Sequence, residues 1–271
     1  MENNFLNLDI INTKSNEENQ QKIQSEKNDF IIKEKLVSDY HKPISLKQTE
    51  KIIEQLKNNI CNIFLGCGER GNGFFMKIKF PDNEHLLPVL LTCNHLINKS
   101  FLSKNDKISI LINDKTKTIG LKNRIVYNNE KLDVTIIELK EKDGIKNFLL
   151  LDEENQDIKI SCQTIYILQY LTANETYVDF GMLSNLNKST FTHCCNTIPG
   201  SSGSPILNLA NNKVIGIHTG SSMNFNYNIG SFLNNPINDF IKKKYNNIIE
   251  ENEMKSVINL STKIMHFEDS E

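Results

Sequence analysis

Between Ile60 and Leu233 the chain is cut into short β-prone runs by turn residues, and no other feature constrains its fold as strongly. The runs are "CNIFLG", "GFFMKIKF", "LLPVLLT", "KISILIN", "NRIVYN", "DVTIIEL", "TIYILQY" and "KVIGIHTG", with Gly, Asn and Asp falling between them. Branched and aromatic residues in segments of this length read as strands. No long helical pattern alternates with them, so a doubly wound parallel sheet is disfavoured and an all-β barrel or sandwich is expected.

The flanks read differently. Residues 1–44 are polar and charged, with apolar islands such as "FIIKEKL", and are expected to form a flexible arm. "PISLKQTEKIIEQLKNN" predicts a helix at the start of a domain spanning 45–250. Ser45 and Gln48 fit a capping box, and Ile52, Ile53, Leu56 and Ile60 follow helical spacing. "NNPINDFIKKKYNNIIEEN" predicts a closing helix with Asn235 as N-cap and Pro236 at its first position. Residues 251–271 read as a tail.

Charge and cysteine usage narrow the functional classes. The chain carries 31 basic against 33 acidic residues and no dense basic stripe, which argues against a nucleic-acid partner. No run approaches the roughly 20 apolar residues that cross a bilayer, so no membrane partner is expected. "MENNFLNLDI" has no apolar core of a secretory signal. Six cysteines occur, at 61, 67, 93, 162, 194 and 195, and the adjacent last pair suits a disulfide framework poorly. Free thiols and a cytoplasmic location are expected. "THCC" lacks paired ligands at zinc spacing, so no metal is expected there.

One loop reads as chemistry. "CCNTIPGSSGSPILN", residues 194–208, packs serines, glycines and prolines into a turn and then becomes apolar. A serine nucleophile needs a base to take its proton, a carboxylate to hold that base, and N–H donors for the developing oxyanion. Glycine lets the backbone turn sharply enough to aim such donors. "LTCNHLI" places His95 after an apolar strand, "KLDVTIIEL" places Asp133 at the head of another, and "GSSGSP" sets Ser202 between Gly200 and Gly203. Any one of these could be a packing or turn residue; together they form the His, Asp, Ser order of a known constellation. An α/β-hydrolase elbow is excluded, because Ser204 stands where that motif needs glycine and Pro205 follows where a helix should propagate.

These blocks, with "GNGFFMKI" as a G-x-G-F strand and "VIGIHTG" as the strand beside substrate, resemble the chymotrypsin-like serine proteases over roughly residues 58–235. The resemblance implies two packed six-stranded antiparallel β-barrels, flanked here by the N- and C-terminal helices. It implies Ser202 as nucleophile, His95 as general base and then acid, and Asp133 as orienting carboxylate. The N–H groups of Gly200 and Ser202 would form the oxyanion hole, and Thr219 would set a hydroxyl near the aspartate. The implied reaction is hydrolysis of a protein or peptide substrate through an acyl-enzyme, with no cofactor. An alternative is a protease-like binding or regulatory module without turnover.

Two departures matter. Leu96, Ile198 and Pro199 stand where digestive members carry bridging cysteines. Ser201 stands where zymogen-type members have an aspartate that pairs with a new N-terminal amine, so the oxyanion loop is expected to be ordered by other contacts. Thr197 and His218, with Thr219, Gly220 and Ser221, fall on the pocket for the residue before the scissile bond. This pattern resembles bacterial glutamyl endopeptidases, which implies a preference for Glu, with Gln as the second choice.

Overall fold

The computed structural model describes residues 43–246 except 67, 154–162, 173, 223–226 and 245. Residues 1–42 of the expected arm and the expected 251–271 tail lie outside the described residues. The order is α1 (Leu46–Asn58), β1 (Ile60–Gly66), β2 (Glu69–Lys79), β3 (Leu86–Thr92), α2 (Lys99–Lys104), β4 (Lys107–Ile112), β5 (Lys115–Gly120), β6 (Val126–Asn129) and β7 (Val134–Glu138). A short 3₁₀ turn (Glu141–Asp143) leads towards β8 (Thr164–Tyr170), β9 (Thr176–Ser184), β10 (Thr190–His193), β11 (Pro205–Asn208), β12 (Val214–Ser221) and β13 (Asn228–Phe232). Residues 234–244 form a closing helix, α3.

The strands make two antiparallel bodies. The first is a seven-stranded sheet in the order β5-β4-β1-β2-β3-β7-β6, and the second is a closed six-stranded barrel, β10-β13-β12-β11-β8-β9. The expected all-β fold with helices at both ends is what the chain adopts. The first half holds seven strands where six were expected, and side chains join its edges β5 and β6. Lys117 on β5 donates to the carbonyls of Asp143 (3.1 Å) and Gly144 (2.8 Å). Arg124, just before β6, clasps Asp143 through both oxygens at 2.6 and 2.7 Å, with both side chains almost fully buried. Burial would raise the Asp143 carboxyl, but hydrogen bonds from Arg124 and the Lys140 amide outweigh it and hold the group below the usual carboxylate range.

Period-two alternation explains why several strands read as unbroken apolar runs. On β2, Phe75 points into the core of the first sheet, while Phe74 and Met76 point into a core shared between the two bodies. On β3, Leu90 takes the first direction and Val89 and Leu91 the second. On β8, Ile165 and Ile167 fill the barrel, while Tyr166, Leu168 and Tyr170 face the shared core. A strand buried on both faces needs apolar residues at every position. Burial of each such side chain contributes roughly 1.5–3 kcal/mol, so the interface between the bodies is as much a core as either interior.

The helices are tied down by polar contacts. Gln55 of α1 is buried, accepts from the Tyr166 hydroxyl at 2.6 Å and donates to the Asn212 carbonyl at 2.9 Å. Ile60, expected as the last apolar residue of that helix, begins β1, because the chain turns out of α1 at Asn59. The closing helix α3 starts at 234, and Asn235, expected as its cap, instead donates to the Lys188 carbonyl and the Ser189 hydroxyl. No helix among the described residues is long and apolar enough to cross a membrane.

Candidate active site

His95 lies in the turn that follows β3, and Asp133 in the turn that enters β7. These two strands pair directly, Thr92 opposite Thr135, so the sheet itself brings the residues together. Asp133 adopts φ +53°, a left-handed conformation that aspartate tolerates better than most residues. Its carboxylate holds His95 at two points, accepting from the backbone N–H at 2.7 Å and from ring Nδ1 at 2.6 Å. A carboxylate on Nδ1 keeps the proton there and leaves the lone pair on Nε2. A polar scaffold underlies this pair: Asn128 Nδ2 donates to the Ile97 carbonyl (2.9 Å) and the Thr135 hydroxyl (2.7 Å), and Thr135 also donates to the Ile97 carbonyl at 2.8 Å.

Ser202 sits in a turn before β11 that is docked against both bodies. Gly200 and Gly203 have φ +100° and +89°, which side chains rarely adopt. A Cβ on Gly203 would lie 1.9 Å from the Asn72 carbonyl oxygen, so only glycine fits there. The Gly203 N–H donates to the His218 carbonyl at 2.9 Å, and the Cys93 thiol donates to the same oxygen at 3.2 Å. One carbonyl thus joins the residue after Ser202 to the residue two before His95. Among the described residues the Ser202 hydroxyl makes no hydrogen bond to the His95 ring.

Two backbone donors on the serine turn face no acceptor among the described residues. Among the described residues, neither the Gly200 N–H nor the Ser202 N–H donates to any protein group. Ser201 is fully buried and orders the loop from within. Its N–H donates to the Ile198 carbonyl at 2.9 Å, its hydroxyl accepts from the Ile198 N–H at 3.1 Å, and its carbonyl accepts from the Ser204 N–H at 3.1 Å. These are contacts of the kind expected from a loop that lacks the aspartate.

The residues expected to line a substrate pocket are placed as follows. His218, on β12, is buried, with Nδ1 3.2 Å from Nε2 of His193, also buried, on β10. Burial pushes His193 down to about 4. Burial first, then the neighbouring His193 and His95, pushes His218 down to about 3. Both imidazoles are therefore neutral near pH 7. Thr197 donates its hydroxyl to Asn228 Oδ1 at 2.9 Å, and Asn228 Nδ2 is held by the Cys195 carbonyl at 2.6 Å, so the Thr197 proton is already committed. Thr219, expected beside the aspartate, instead donates to the Ile229 carbonyl at 3.2 Å. The hydroxyl that reaches the Asp133 turn comes from Ser231 of β13, which donates to the Leu132 carbonyl at 2.7 Å. Gly220 follows a bulge, and a Cβ there would meet nothing within 4 Å; Ser221 beyond it is exposed.

Cys93, His95 and Asp133 have ligand atoms within 4.8 Å of one another. Their atoms are engaged, the His95 ring with Asp133 and the Cys93 thiol with the His218 carbonyl. Burial pushes the Cys93 thiol well up, so it keeps its proton. Cys61, Cys93, Cys194 and Cys195 are free, and Cys67 and Cys162 lie outside the described residues.

Sequence reasoning missed His193, Asn228, Ser231 and above all Asn72. Asn72 stood in plain view as the variable letter of "GNGFF", but a strand asparagine signals nothing until its neighbours are known. In the sequence His193 is simply the histidine of "THCC".

The protein-family pattern described as "Trypsin-like peptidase domain" matches residues 71–217, more than half of the chain. No curated protein sequence matches significantly. Among solved structures, the chain is similar to the Rv3671c protease of M. tuberculosis in its active form, with 14% identity and a TM-score of 0.54 over 75% of this chain and 91% of that one. An inactive form of Rv3671c, a Ser343Ala mutant in its own numbering, aligns at 12% identity and a TM-score of 0.53, covering 75% and 94%. The serine endoprotease of Yersinia pestis aligns at 14% identity and a TM-score of 0.53, covering 74% and 68%. At such identities the likeness is one of fold.

Proposed function

We propose that this chain, which belongs to the trypsin-like peptidase domain family, is a serine endopeptidase working through Ser202, His95 and Asp133. Nε2 of His95 takes the Ser202 proton as Oγ attacks the scissile carbonyl carbon. The carbonyl electrons move onto oxygen, and the N–H groups of Gly200 and Ser202 stabilise that charge. Asp133 stabilises the imidazolium. When the tetrahedral intermediate collapses, the C–N bond breaks and His95 gives its proton to the leaving amine. Water then attacks the acyl-enzyme by the same route, with His95 again as base, and frees the acid product.

The observation that carries this reading is the two-point His95–Asp133 bond, together with two unpartnered N–H groups on the serine turn. A binding module without turnover needs neither. Fluorophosphonate labelling tests it: the parent should label at Ser202 and Ser202→Ala should not. A folded, unlabelled parent would sink the proposal.

For the residue before the scissile bond, the reading is Glu or Gln, bound by His218 within walls that include Thr197, Thr219, Gly220 and Ser221. The neutral His218 ring supports it, because an imidazole N–H can donate to either side-chain oxygen. The two substrates should differ in pH dependence. A glutamate carboxylate favours the protonated ring, so its binding takes up a proton; an amide requires none. The ratio of kcat/KM for Glu over Gln should therefore fall as pH rises. Preference for Arg, Lys or large apolar residues, or an unchanged profile in His218→Leu, would remove this assignment.

A further inference from the structure

The buried asparagine on β2 holds the serine turn at two points that flank Ser201. Asn72 is fully buried, and all of its polar atoms are engaged. Its backbone N–H donates to the Ser202 carbonyl at 2.7 Å. Its side-chain Nδ2 donates to the Gly200 carbonyl at 2.7 Å and to the Tyr170 carbonyl at 3.2 Å. Oδ1 accepts from the Tyr170 N–H at 2.7 Å, which fixes which end of the amide faces Gly200. The Asn72 carbonyl accepts from the Thr92 hydroxyl at 2.7 Å, three residues before His95.

We propose that Asn72 is the positioning residue of the oxyanion hole. It pins the carbonyls of Gly200 and Ser202, the two residues whose N–H groups are left free for the oxyanion. Fixing those carbonyls fixes the peptide planes that leave each Cα, and so limits how far each N–H can swing. An asparagine that merely joined the two bodies could bond to Tyr170 alone. Asn72 carries the additional Nδ2 bond into the turn from the other body. This holds the loop from outside, while Ser201 holds it from within, so the hole is assembled without a newly cut N-terminus. The proposal rests on the serine-hydrolase reading above.

Asn72→Asp is the test. It keeps the shape and the acceptor for Tyr170 but puts an oxygen where Nδ2 faces the Gly200 carbonyl. The loss of one well-placed oxyanion donor costs about 10²–10³-fold in kcat, and a misdirected donor should approach the lower figure. We expect kcat and the rate of fluorophosphonate labelling of Ser202 to fall about 10²-fold. KM should stay within about threefold, and the pH at which the kcat/KM profile breaks should not move. Asn72→Ser provides a second variant should the aspartate fail to fold, with a loss of kcat expected again. Parent-like kcat in a folded variant, or a loss confined to KM, would overturn the proposal. Collapse of the melting transition in both variants would make Asn72 purely structural and overturn it too. A parent that neither labels nor hydrolyses would overturn the hydrolase reading as well, whereas a labelling parent with an equally active Asn72→Asp would overturn this proposal alone.

Discussion

The two bodies hold their functional groups by different means. In the seven-stranded sheet, His95 and Asp133 are joined directly, by a ring bond of 2.6 Å and a backbone bond of 2.7 Å between turns on paired strands. In the barrel, Ser201 is held by its own loop, whereas the Ser202 side chain makes no hydrogen bond to a protein group among the described residues. Ser202 owes its place to left-handed glycines, to backbone bonds and to Asn72, which belongs to the other body. The proposed acid–base half is thus built within one sheet, whereas the proposed nucleophile half depends on the contact between the two. Damage to the first should change chemistry at a local point. Damage to the second should act through geometry, and through the pH behaviour of the buried imidazoles of His193 and His218.

The sharpest test of that contrast is at the proposed reacting groups. Ser202→Ala and His95→Ala should each abolish peptide hydrolysis, and Asp133→Asn should lower kcat by about 10⁴-fold with the fold intact, as expected when the carboxylate of such a unit becomes an amide. Parent-like activity in Asp133→Asn would show that the third member is misassigned.

Next in size is the ion pair that joins the edges of the first sheet. Arg124→Ala would leave the Asp143 carboxylate buried and uncompensated, at a cost of about 3–5 kcal/mol, measurable by urea unfolding. Because the Asp143 carboxyl is held below its usual range when folded, its contribution is present above the ordinary carboxylate pKa and is lost as pH falls through the lower, folded value. The variant should lack that acid-side loss.

In the barrel the sign is shared but the window is higher. His193 and His218 are pushed down to about 4 and about 3. Above about 6.5 neither folded nor unfolded histidines carry protons, so nothing is lost. Below it the unfolded state binds protons that the folded state refuses, and stability should fall steadily towards pH 4. Melting temperatures measured across that range in the parent and in His218→Leu should diverge, the variant showing the shallower slope. Parallel slopes would mean that the pair is not buried neutral.

The smallest expected effect is that of a thiol reductant. Cys61, Cys93 and Cys195 are buried free thiols and Cys194 is an exposed one, so activity and melting temperature should be unchanged by reduction. A clear drop in either would implicate a disulfide.

What was legible in the sequence follows from where local rules suffice. β3 and β8 were marked to the residue, because strands buried on both faces are apolar throughout. β5 ("KTKTIG"), β9 ("TYVDFGMLS") and the short β10, β11 and β13 went unmarked, because partly exposed or four- to five-residue strands lack that density. The candidate His95, Asp133 and Ser202 turns stand out through residue type and order, since the proposed chemistry demands those types.

By itself, then, the sequence determined the β-rich class, the glycines of the serine turn and the identities of the candidate reacting groups, all of which depend on local backbone freedom or intrinsic side-chain chemistry. Only the tertiary structure decided that Asn72 grips Gly200, that His218 backs onto His193 and stays neutral, that Thr197 spends its proton on Asn228, and that Ser231 rather than Thr219 reaches the Asp133 turn. Each of these joins residues 25 or more positions apart, by hydrogen bonds whose existence depends on burial and on strand register. Neither burial nor register is a property of any residue taken alone.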